Sequence, residues 1–140
     1  MTAPAPRVLV AVSQAGYGIA KKLLSGCDAD IVTSFEQGTQ ALARYPYAYV
    51  LIGVLFAESQ MFEFVHEVKK FQPAARVLGV RGIGAPLTEE TRLGLHAALQ
   101  TVGAEGLVDL TRRELSAWEQ QALLEMRSRC WPHCDSSKVF

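Results

Sequence analysis

Residues 48–56 read AYVLIGVLF, a run without a single charge. A strand that meets water on one face alternates apolar and polar side chains. This one does not, so both of its faces are expected in the interior. Strands of that kind belong to parallel sheets covered by helices on both sides. Arg7–Val12 (RVLVAV) has the same character, and shorter runs repeat it at Ala29–Thr33 (ADIVT), Arg76–Val80 (RVLGV) and Gly106–Leu110 (GLVDL). The strand around the quoted stretch is predicted over Tyr47–Phe56.

Helical spacing fills the intervals. Gln14–Ser25 carries Ile19, Ala20, Leu23 and Leu24 on one side, with Gly26 as its C-cap. Ser34 and Gln37 make a capping box ahead of Ala41, Leu42 and Tyr45, and Pro46 stops that helix. Gln60–Gln72 carries Met61, Phe64, Val65, Val68 and Phe71 and ends before Pro73. Thr88 is the expected N-cap of Glu89–Val102, with Gly103 beyond it. Thr111 and Glu114 form a T-x-x-E box, predicted to open a last helix through Leu115, Trp118, Leu123 and Met126. In that helix Glu119, Gln120, Gln121 and Glu125 are expected to form a solvated side. A β-α unit repeated five times predicts an α/β domain: a doubly wound five-stranded parallel sheet of flavodoxin-like topology. The expected divisions are an N-terminal lead over 1–6, the domain over 7–128 and a C-terminal tail over 129–140.

The 140 residues fit one domain with a core of useful size. Lys and Arg number 14, as do Asp and Glu, so no excess field attracts nucleic acid or an anionic membrane. No apolar run approaches the roughly 20 residues of a membrane span. The start, MTAPAPRVLVAV, lacks the basic n-region and cleavage site of a signal peptide. An odd cysteine count, 3, argues against a secreted disulfide framework. The expected location is cytoplasmic.

AYVLIG followed by a loop and FEFVHEVKKFQP resembles the third unit of the receiver domains of bacterial two-component response regulators (CheY-like). GAEGLVDL, Gly103–Leu110, is similar to their Gly-Ala turn and fifth strand. The resemblance covers roughly Arg7 to Trp118. It implies positions for the family's chemistry, and each departs from the pattern. The two acids that hold magnesium fall on Ser13 and Gln14, and the phosphoacceptor aspartate falls on Gly53. The Thr or Ser that binds the phosphoryl group falls on Arg81. The lysine falls on Leu110, the cis-proline after it on Thr111 and the switch aromatic on Leu107. Magnesium wants carboxylate oxygens, and Ser13 and Gln14 offer neutral ones. Glycine has no side chain to phosphorylate. Glu58, the nearest acid downstream, sits in the following loop. The expectation is a degenerate pseudo-receiver without the phosphoacceptor aspartate, not an enzyme, with no cofactor. Arg81 has three readings: a side chain in solvent, a plug bonded to Gln14, Ser13 or carbonyls, or an anion ligand.

The resemblance also implies a contact face, since the fourth helix, fifth strand and fifth helix of receivers commonly make dimers. Here the fourth helix would supply Arg92, His96 and Leu99, and the strand Leu107. The last unit would supply Arg113, Trp118 and Gln121. The leading expectation is therefore a signalling module that acts through a protein partner or its own homodimer, independently of phosphorylation. The alternative is a flavodoxin-like small-molecule or nucleotide-binding protein using the crevice at the strand C-termini. Gly16 and Gly18 give it a G-x-G, but Lys21 replaces the third glycine of a dinucleotide loop. Cys130, His133 and Cys134 (CWPHC) are ligand types zinc accepts, but no second half-site accompanies them. Arg81–Glu90 makes a long Gly- and Pro-bearing loop, suited to an exposed excursion.

Overall fold

The computed structural model describes residues 7–26 and 28–130. Strands β1 (Val8–Ala11), β2 (Ala29–Val32), β3 (Tyr49–Gly53), β4 (Arg76–Arg81) and β5 (Gly106–Asp109) form one parallel sheet in the order β2-β1-β3-β4-β5. Helices α1 (Gln14–Leu23), α2 (Phe35–Arg44), α4 (Met61–Phe71), α5 (Glu89–Thr101) and α6 (Ala117–Cys130) connect and follow them, with a one-turn segment α3 (Phe56–Ser59) after β3. This is the doubly wound arrangement that the Val-, Leu- and Ile-rich runs predict.

Strand alternation sorts the core into two layers. Val8 and Val10 of β1 face one side with Ala20, Leu24, Leu123 and Met126, from α1 and α6. Leu9 and Ala11 face the other, with Leu42, Phe64, Val68 and Leu99 from α2, α4 and α5. On that second side Phe64 lies edge-on to Phe35 at 5.4 Å and to Phe56 at 5.0 Å. Helix α2 approaches closely because residue 38 is glycine: a Cβ there would stand 2.5 Å from Phe64 Cζ.

The local signals largely decide the elements. Ser13 caps α1, Ser34 caps α2 and Thr88 caps α5, each side-chain oxygen accepting a backbone N–H. Three expectations change. The third strand ends at Gly53 rather than Phe56. Beyond it the chain turns left-handed at Ala57 (φ 49°), Glu58 (φ 58°) and Ser59 (φ 70°), which brings Phe56 into the core. The last helix starts at Ala117, six residues after Thr111. It runs on to Cys130, whose side chain is buried, two residues beyond the division expected at 128.

Strand order reverses between β1 and β3, and the loops at their C-terminal ends part there to leave a crevice.

Candidate functional site

Ser13 and Gln14, just past β1, and Gly53, at the end of β3, lie at this crevice. Ser13 Oγ accepts the Gly16 N–H at 3.3 Å, so it is committed as the cap of α1. Gln14 Nε2 donates to Thr33 Oγ1 at 3.2 Å. Arg81 closes β4 with a side chain only 14% exposed. Its Nη1 donates to Thr111 Oγ1 at 2.9 Å and its Nη2 to the Ala85 carbonyl at 2.5 Å. Nη1 also stands 3.8 Å from Asp109 Oδ1. Of the three readings, the side chain pointing into solvent is thus overturned. Arg81 bonds a carbonyl and a hydroxyl, pinning the loop of residues 82–85, and makes no bond to Ser13 or Gln14.

Next to Arg81 lies a polar cluster that sequence reasoning did not find. Asp109 and Glu119 are fully buried. Asp109 Oδ1 accepts from Thr111 N at 3.0 Å and Thr111 Oγ1 at 2.5 Å, while its Oδ2 has no partner. Glu119 Oε2 accepts the Asp109 N–H at 2.6 Å. Its Oε1 accepts from Ser116 N at 2.8 Å and Arg112 Nη1 at 3.2 Å. Ser116 Oγ accepts the Glu119 N–H at 3.1 Å in return. The working capping box is therefore Ser116 with Glu119, not Thr111 with Glu114. Thr111 is spent on Asp109 and Arg81 before it can cap a helix. Glu119 also leaves the solvated side on which the sequence put it, and Glu125 pairs with Arg76 at 2.8 Å. Two arginines and two acids balance in this cluster, which is how buried charge is tolerated.

The expected contact face is brought together only in part. Leu99 and Leu107 are buried in the core and offer no surface. Arg92 is largely covered and paired with Glu89. His96 Nδ1 accepts the Leu107 N–H at 3.0 Å, and Trp118 packs edge-on to the His96 ring at 4.7 Å. Trp118, Arg113 and Gln121 remain exposed. Leu93 on α5 is 52% exposed and was not anticipated.

Two depressions flank the crevice. One is polar, lined by Gln14, Thr33, Ser34 and Glu58. The other is an apolar cavity of about 270 Å³ running between α1, α6 and the sheet, with Gly53, Arg81 and Leu110 on its wall. Among the described residues no three His, Cys, Asp or Glu side chains gather as a metal site. Cys130 is a free thiol in the core, where burial pushes its pKa up. His133 and Cys134 lie outside the described residues. No described helix is long and apolar enough to cross a membrane.

No protein-family profile matches the chain, and neither does any curated protein sequence. Solved structures do match. A response regulator from Thermotoga maritima superposes with a TM-score of 0.64 at 15% identity, over 89% of this chain and 99% of that one. The strand order, the helix placement and this superposition agree. The fold is that of a response-regulator receiver domain. An orphan response regulator of H. pylori gives 0.61 at 19% identity, over 89% of this chain and 100% of that receiver-fold protein. The beryllofluoride-activated receiver-domain dimer of NtrC4 gives 0.62 at 16% identity, covering 91% and 98%. Identities this low carry the receiver fold alone. They do not carry an activity.

Proposed function

We propose that this chain is a receiver-fold signalling module that regulates through protein contact and without aspartyl phosphorylation. The observation that carries the reading is the chemistry of the crevice. Where the resemblance puts a magnesium-binding acid pair and a phosphoacceptor, the chain has Ser13, Gln14 and Gly53. Ser13 already serves as a helix cap, and none of the three brings a carboxylate. Such a donor set does not fit a magnesium ion. Arg81, at the position of the phosphoryl-binding hydroxyl, is engaged with Thr111 and Ala85. Leu110, at the lysine position, faces an apolar wall. In this reading the family's phosphoacceptor and magnesium-binding acids have no counterpart at those positions; Glu58, across the polar depression, is the nearest carboxylate.

The contact surface in this reading is the α5–β5–α6 side, carried by Leu93, Trp118, Arg113 and Gln121. An exposed tryptophan, here joined by an exposed leucine on α5, is the type of anchor that interfaces use. A second copy of the chain is the proposed partner, and one of the structures it resembles is a receiver-domain dimer.

The test has two arms. Incubation with acetyl phosphate and magnesium is expected to leave the intact mass unchanged; a phosphoryl adduct mapped to the crevice sinks the phosphorylation-independent reading. Sedimentation of the wild type is expected to show a dimer, and of Trp118→Glu a monomer. A wild type that sediments as a monomer at every concentration sinks the self-association.

A further inference from the structure

The apolar cavity has a cause in the sequence. Helix α1 presents the small residues Gly16 and Ala20 to the space whose far wall is Val10, Leu51 and Val108. Gly53 adds no side chain at the strand end. At Gly16 itself a Cβ would stand 3.3 Å from Val12 Cβ, so the space lies farther along α1, beside Ala20. A space of about 270 Å³ remains.

Its shape limits what enters. Gly16 and Leu24 both line it, and eight residues of helix between them span about 12 Å. The space is therefore elongated along α1. Its mouth is rimmed by Ile19, Leu55 and Ile83, which are 43%, 53% and 37% exposed. The two polar side chains on the wall, Ser13 and Arg81, are engaged with Gly16 and with Thr111 and Ala85. The Arg81 charge is already met by Asp109 at 3.8 Å, so a charged group carried inside would lose its water with little in return, and the cavity selects against one. A dry cavity of about 150 Å³ holds a benzene ring, so this one suits about two fused rings or their equivalent.

We infer that the cavity between α1, α6 and the sheet is a binding site for a small, uncharged, apolar molecule of about two fused rings. The ligand enters past Ile19 and Ile83 and lies along α1. Arg81 positions the rim, because its bond to the Ala85 carbonyl holds the loop that carries Ile83. The inference rests on the cavity and is independent of how the α5–β5–α6 side is used.

The probe is 2-naphthol, titrated calorimetrically into the full chain. One molecule is expected to bind with Kd about 0.1 mM or tighter and to raise the melting temperature. The variant Ala20→Leu fills the space, so it is expected to melt higher without ligand and to bind at least about tenfold more weakly. Methyl NMR supplies a readout that needs no variant: shifts are expected at Leu51, Leu123 and Met126 and not at the surface Leu93. Absence of binding up to the solubility limit overturns the inference, and leaves the cavity as a packing defect. Equal binding by Ala20→Leu, or shifts centred on Leu93, places the probe elsewhere and overturns it too. So does a dimer lost in Ile19→Gln with no binding of 2-naphthol, because the mouth is then the seat of a second copy.

Discussion

At Glu119 one carboxylate serves three donors at once: the N–H groups of Asp109 and Ser116 and the Arg112 guanidinium. Glu119→Ala strands the buried Asp109 N–H and the half-buried Ser116 N–H and leaves Arg112 without this partner. The expected loss is about 3 kcal/mol, read as a lower urea midpoint at unchanged slope. The residue was legible in hindsight. It stands four, seven and eleven positions before Leu123, Met126 and Cys130, on the stripe that α6 buries. Charge misled the reading, because glutamate is assumed exposed unless a partner is visible, and partners from a loop and a neighbouring strand are not visible in sequence. Glu58 makes the opposite case. It is exposed, has φ 58° and sits between two other left-handed residues. An L-residue pays roughly 1 kcal/mol to be there, so Glu58→Gly is expected to stabilise the fold by up to about that amount despite its freer unfolded chain. A lower melting temperature for this variant would mean that the turn is not strained.

At the scale of elements, β5 depends on close approach from α5 and α6. Gly106 has φ 152°, and a Cβ there would stand 2.2 Å from His96 Cε1 and 2.7 Å from Trp118 Cη2. Gly106→Ala is expected to cost about 2–3 kcal/mol and to alter Trp118 fluorescence, since the ring must leave His96. Arg76 makes the matching tie at the other end of the sheet. It joins β4 to Glu105, to Glu125 of α6 and to the Tyr49 hydroxyl of β3. The hydrogen bond from Arg76, then one from Gln121, hold the Glu125 carboxyl below its ordinary range. A lowered folded-state pKa gives stability that is present above the ordinary carboxylate range and lost as pH falls through the lowered value. Arg76→Gln is expected to flatten that acid-side fall, measured by urea unfolding across acid to neutral pH. The elements themselves were readable because caps, prolines and short apolar runs are local signals. The start of α6 was not. Two boxes with the same spacing, T-x-x-E at 111–114 and S-x-x-E at 116–119, compete, and only the engagement of Thr111 by Asp109 and Arg81 decides between them.

At the scale of the whole molecule, the parallel sheet and its winding followed from apolar pattern alone, while the crevice followed only where it concerned missing groups. Gly53 and the neutral pair Ser13–Gln14 can be read in a line of text. A void cannot, because it depends on how far α1 stands from the sheet. If the cavity is a packing space open to a ligand, the whole domain should respond to filling it, and hydrogen exchange should slow in α1 and α6 together when 2-naphthol is bound. Exchange slowed in α5 alone would argue that the two faces of the sheet are coupled in some other way. One consequence concerns how such domains avoid clumping. The outer border of a sheet is a template for foreign strands. Along β5 the Leu107 and Asp109 N–H groups are already taken, by His96 Nδ1 and Glu119 Oε2. Two side chains thus act as a selvedge: they finish the fabric so that no further thread can be woven in, and any partner on that flank must lie against helices.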